Sequence, residues 1–311
     1  MDRTTTTIVN VPLVFMSLLM NSFFIYCLGF SDPSEKLKQP VSCLLCTLVC
    51  SSVTYLISML AEVVLNMMGT HSITSLVFYI LSVCTLSSCM TTSVWLNFFY
   101  YTKIVPAQQA LSIWIKKNVK RIIYVAWFFE RIWTLLEISL TVLQLHALFT
   151  LATLNYTTGS IKISLSRSLE KALDFYFIFS WLLKTYFIVS VYVMVWSTVS
   201  MSCFLVRHVA KMIASGQAYS SPKFCGQVRV VITGILQGLL YLLCGAWICY
   251  NMFREQFTDK KLNENAHYTV CNVFMFGTTL NLWVGQSVFR QRAVNVIQAL
   301  KGKLLMMKLE L

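Results

Sequence analysis

Five ionisable residues stand inside long apolar runs of this chain: Glu62, Glu130, Arg131, Glu137 and Lys184. A charge in hydrocarbon is costly, and such residues are candidates for binding or coupling by default. Glu62 comes about 21 residues into its run, roughly 31 Å at the helical rise, so it is expected at a rim where water solvates it. Glu130, Glu137 and Gln144 are spaced by seven and share one helix face, which is expected to turn away from lipid. Lys184 falls roughly 14 Å from the start of its run, level with Glu137, and an ion pair or a ligand contact between those helices is expected. Catalytic constellations are not found. His71, His146, His208 and His267 are scattered, with no metal-ligand spacing, no phosphate-cradling glycine loop and no nucleophile elbow. No enzyme activity and no cofactor are expected.

The elements that hold these charges follow from composition. The chain has 311 residues, is 57% hydrophobic and 12% charged, and has a mean hydropathy of +0.67. Soluble domains carry about a quarter charged residues. A bilayer absorbs this excess of apolar surface and a globular core does not. The net charge of +13 is expected to mark inner loops, not a nucleic-acid surface, since no soluble basic domain exists to present it. Of the eleven cysteines, ten lie in apolar runs and Cys225 in a segment placed inside. They read as small helix-packing residues and not as outer disulfides.

Spans need about 20 apolar residues. Seven runs qualify: Ile8–Phe30, Val41–Met68, Leu76–Ile104, Ile122–Phe149, Phe175–Val206, Gln227–Phe253 and His267–Phe289. The first is too long for a signal-peptide core and lacks a basic lead, so it is expected to stay as a span. The fold class is therefore an all-α seven-transmembrane bundle over residues 1–289, with a cytoplasmic tail over 290–311. Its inner segments hold sixteen Lys and Arg against seven outside when the N-terminus is outside. The sequon at Asn155 then falls in the longest outer loop, a position open to glycosylation. In the tail, Val294, Ile297, Leu300, Leu304 and Leu305 recur at helical spacing among cations, the pattern of a short amphipathic helix on the inner leaflet. Pro is rare, and none is expected in the middle of a span.

Particular wording carries a family resemblance. Phe99-Tyr100-X-X-Lys103-Ile104, followed by Trp114-X-Lys116-Lys117 and Lys120-Arg121-Ile122, resembles the third span and second inner loop of bitter taste receptors (taste receptor type 2). Asn21 with Phe23 to Ile25 is similar to the family's first span. Arg207-His208-X-X-Lys211-Met212, Gly216 and Ser221-Pro222 resemble its fifth-span exit and third inner loop. Gln227-Val228-Arg229 and Leu239-Leu240-Tyr241 resemble its sixth span, and Asn155 matches its glycosylation site. The chain departs from the family in lacking Arg in Leu48 to Thr54, and in Thr278-Thr279 and Gly285-Gln286-Ser287-Val288-Phe289 at the seventh span.

The resemblance implies a plasma-membrane G-protein-coupled receptor for small bitter organic compounds, with a gustducin-type heterotrimeric G protein as its inner partner. Family pocket positions in the third span fall at Ser82 and Leu86, joined at helical spacing by Thr85 and Cys89. Tyr268 and Asn272 are expected from the seventh span and Lys184 from the fifth, in a pocket between the third, fifth, sixth and seventh spans. Tyr100, Lys103, Ile104, His208, Lys211 and Met212 are the expected G-protein contacts. Rival readings are another chemosensory receptor of the vomeronasal type 1 kind, or a small transporter, which would show repeats and broken spans.

Overall fold

The computed structural model describes residues 3–29, 40–69, 73–106, 110–154, 160–214, 222–257, 264–286, 289–298 and 301. Asn155 and the side chains of Glu137 and Gln144 lie outside the described residues. All regular structure among the described residues is helical: α1 Arg3–Gly29, α2 Val41–Met67, α3 Ile73–Ile104, α4 Ala110–Leu154, α5 Ser160–Ala214, α6 Pro222–Phe257, α7 Glu264–Gly285 and a short α8 over 289–298.

The breaks obey local chemistry. Between Gly69 and Gly216 the only Pro and Gly residues are Pro106 and Gly159; Pro106 follows the end of α3, and Gly159 falls in sequence between the described ends of α4 and α5. Gly69 itself takes φ 68°, the left-handed turn that stops α2 after Met68. Val105 closes the last turn of α3 by donating to the Tyr101 carbonyl, and Pro106 follows. With no breaker inside them, α4 runs to 45 residues and α5 to 55. This corrects the expected loops. The basic residues Lys116, Lys117, Lys120 and Arg121 ride on the first turns of α4, and helix continues through 150–154 and 160–174, where a long outer loop was expected. Hydropathy marks where apolar surface ends, which is not where a helix must end. Pro12 also lies inside a helix, because α1 begins at Arg3 and not at Ile8. At the other end, α7 stops at Gly285 with Gln286 donating to the Leu282 carbonyl, so Phe289 belongs to α8.

The helices form a closed ring. Each packs against the next in the chain and α7 packs back against α1, while α3 also reaches α5 and α6. The exterior is apolar, and many polar residues share the interior with an apolar core. Phe15, Val125, Phe128, Ile188, Tyr192 and Leu243 face outward, while Asn21, Ser52, Ser88, Asn97, Gln237 and Thr279 are buried. Apolar exteriors and polar interiors suit hydrocarbon, where polar groups must find partners inside the bundle. Five helices contain stretches long and apolar enough to cross a membrane: Ile8–Gly29, Val41–Leu65, Thr74–Ile104, Lys184–Ala214 and Val228–Asn251. The charges Glu130, Arg131 and Glu137 dilute α4. Asn265, His267, Asn272 and Asn281 dilute α7.

Polar ties fix the ring. The Asn21 amide of α1 donates to Ser52 Oγ in α2 at 3.4 Å and to Thr279 Oγ1 in α7 at 3.1 Å. Phe289 of α8 stacks on Phe24 at 4.3 Å between ring centres, and Arg292 donates to the Cys27 carbonyl at 2.8 Å. The tail helix thus docks by Phe289 and Arg292 against the C-terminal end of α1 and leaves Val294 and Ile297 exposed.

Candidate functional site

The expected pocket residues go to different neighbours. Tyr268 donates its hydroxyl to Glu62 Oε1 at 2.6 Å, tying α7 to α2. Asn272 donates to Asn10 Oδ1 of α1 at 2.9 Å and approaches the sulfur of Met59. Cys89 is fully buried with its thiol toward the Leu48 carbonyl of α2, and Leu86 lies in the same core. Ser82 and Thr85 spend their hydroxyls on carbonyls of their own helix, at 2.7 Å and 2.6 Å. Lys184 is half-buried, its Nζ 5.1 Å from the centre of the Trp181 ring. An apolar cleft of about 600 Å³, open to the outside of the bundle, lies between α6 and α7, lined by Leu240, Leu243, Trp247, Tyr250, Val270 and Val273 among others and by none of these seven.

Glu62 requires a correction. It is only 5% exposed, not a solvated rim residue, because α7 packs over it and supplies the Tyr268 hydroxyl. Tyr268→Phe is expected to lower the melting temperature, at a cost of about 1–2 kcal/mol, by removing that donor. A second loss no larger than the first on adding Glu62→Gln, read in the same melting assay, checks the pairing.

At mid-depth, the carboxylate of Glu130 faces the bundle as its position in the stripe predicts. It is 2% exposed. Its Oε1 accepts from Thr91 at 2.5 Å, Ser88 at 3.1 Å and Thr92 at 3.5 Å, all on α3. Arg131, the next residue on α4, wraps back to it at 2.8 Å and also donates to Ser88 at 2.5 Å. Ser51 of α2 joins through Ser88 at 3.3 Å. Three helices are pinned by one carboxylate.

The candidate coupling residues lie toward the C-terminal ends of α3 and α5. Asn97 of α3 donates to Thr198 Oγ1 of α5 at 2.9 Å, which sets the two helices level there. From that level, α3 has about 10 Å left to Ile104 and α5 about 24 Å to Ala214. The last turns of α5 therefore project past the end of α3. Lys103 and Lys211 are exposed, and Ile104, His208 and Met212 are half-buried. Lys103 lies over the Phe99 ring at 5.6 Å, and His208 packs against Phe204. Tyr100 is held by Gln286, whose amide donates to its hydroxyl across from the end of α7. Above that bond, Gln237 of α6 donates to Thr278 at 3.1 Å, and Asn281 donates to the Thr233 carbonyl and to Gln237.

Sequence reading missed this lower network. Asn97, Gln237, Asn281 and Gln286 carry no charge, and a search for ionisable residues passes over them. Uncharged amides inside apolar runs are the signal that finds them, since lipid gives them no partner.

Fold and site together define a helical bundle with long apolar helices, polar ties within its core, and exposed cations at the ends of α3 and α5. No protein-family model matches the chain, and no curated protein matches it. Among the described residues no group of His, Cys, Asp and Glu is arranged to hold a metal ion.

Proposed function

We propose that this chain is a seven-span G-protein-coupled chemosensory receptor of the bitter-taste kind. It binds small organic compounds from outside the plasma membrane and activates a heterotrimeric G protein at its inner face, with the N-terminus outside and the C-terminus inside. The five long apolar helices and the closed ring that seats α4 and α7 between them support the seven-span reading. The wording around Tyr100 and Lys103 supports the family.

The observation that carries the proposal is the inner end. Tyr100, bonded to Gln286, ties α3 to α7 at the level where Lys103 is exposed, while α5 extends further inward with Lys211 on its last turn. A shift of α7 or α3 caused by a ligand outside changes the surface presented between these ends. That is what a two-state receptor requires.

The test is a G-protein activation assay in transfected cells against a panel of bitter compounds. Lys103→Glu and Lys211→Glu place like charges against an acidic partner surface and are expected to cut agonist potency about ten-fold or more. Surface expression should stay near the parent level, because both side chains are exposed. Parent-like signalling from both variants, or no response to any compound in the panel, counts against the proposal.

A further inference from the structure

The lower polar network encloses a cavity between α3, α6 and α7. Its volume of about 20 Å³ admits one water molecule. Asn97, Asn281, Gln237, Tyr100 and Ser93 line it, with the buried leucines Leu48, Leu96 and Leu282.

Two acceptors at this cavity have no hydrogen-bond partner among the described residues: the side-chain carbonyl oxygens of Asn97 and Asn281. Their amide nitrogens are engaged elsewhere. That of Asn97 donates to α5, and that of Asn281 donates to Thr233 and Gln237. Asn97 is 1% exposed. Leaving a buried carbonyl unmatched costs about 1–3 kcal/mol, which a donor entering the cavity recovers.

We propose that this cavity is a hydration site in which one ordered water donates to Asn97 Oδ1 and Asn281 Oδ1 and so joins α3 to α7 beneath α6. A water offers two donors to these two acceptors, and its oxygen can accept in turn from the hydroxyl groups on the wall. A monovalent cation is the weaker occupant. The lining has oxygen atoms but no carboxylate, and an unpaired ion in such a site must give up its hydration without a counter-charge. Gly234 makes room for the arrangement. A Cβ there would lie 2.8 Å from Asn97 Oδ1, so any side chain on α6 at this point invades the site. The inference does not depend on the receptor reading.

Hydroxyl-radical footprinting of the unaltered protein in nanodiscs, in ¹⁸O-labelled water, tests the site. Radiolysis of a bound water oxidises the buried residues that touch it. Oxidation of Leu48, Leu96 and Leu282 is expected to exceed that of Leu56 and Leu86, which span the same range of burial and do not line the cavity. Equal oxidation of the two sets overturns the site. A melting cycle of Asn97→Leu, Asn281→Leu and the double variant tests the bridge. No direct hydrogen bond joins the two side chains, so additive losses overturn a shared water. A coupling of about two-fold or more in the unfolding constant supports it.

Discussion

Replacing Glu130 by alanine is expected to remove most of the folded protein. The carboxylate accepts from Ser88, Thr91, Thr92 and Arg131 in a site that is itself almost wholly buried. Without it, three hydroxyls and a guanidinium that is 33% exposed lose their common acceptor. Breaking a buried pair from one side costs about 3–5 kcal/mol, a large share of a fold's whole margin of about 5–15 kcal/mol. Glu130→Gln keeps an acceptor of the same shape and should lose clearly less. A joint Glu130→Leu, Arg131→Leu change should recover part of the loss, because it removes the orphaned cation as well. Thermal melting of purified protein reads this. An alanine variant that melts within about 2 °C of the parent would sink the assignment of Glu130 as the pin of α3 and α4, since a loss of this size shifts melting by several degrees.

Gly238→Val is expected to be the most damaging small-residue change on α6. A Cβ at Gly238 would meet Thr198 at three atoms: Oγ1 at 2.5 Å, Cγ2 at 2.9 Å and Cβ at 3.2 Å. A threonine is short and branched at its root, so it cannot swing aside, and α6 must back away from α5. Overpacking of this kind costs about 1–3 kcal/mol for a single methyl, and valine adds more. Retreat of α6 also loosens Thr198, the residue that receives the Asn97 amide. Two companion variants separate this cause from a general intolerance of glycine replacement. Gly277→Ala meets only the flexible end of Leu240, at 2.7 Å, and should lose less. At Gly245 the nearest atom is 3.5 Å away, so Gly245→Ala should be neutral or stabilising by up to about 1 kcal/mol through helix propensity. In the melting assay, Thr198→Ala should partly rescue Gly238→Ala. Equal losses at Gly238 and Gly245 would show that close approach of α5 and α6 is not the cause.

The burial of Glu130 was legible because a carboxylate in an apolar run has one tolerable direction. Glu62 was misread for a related reason. Its distance along α2 placed it at the outer end, but distance along one helix does not reveal what a second helix lays over it. The pocket residues illustrate the same limit. Tyr268 and Asn272 lie on the predicted helix, and their hydrogen bonds run to α2 and α1. Helical spacing tells which residues share a face, and rotation of the whole helix decides which neighbour that face meets.

What the sequence determined by itself is the environment and the helices. Its apolar runs exceed what a core can hold, its charges gather at their ends, and Gly69 and Pro106 mark where α2 and α3 stop. Tertiary structure alone decided the pairings: Glu130 with Thr91, Tyr268 with Glu62, Asn97 with Thr198, and Gln286 with Tyr100. Each joins residues about 40 to 206 positions apart in the chain. The reason is physical. A bilayer dictates that a polar side chain must find a partner inside the bundle, but many partners satisfy that demand, and only the packing of the whole ring selects one.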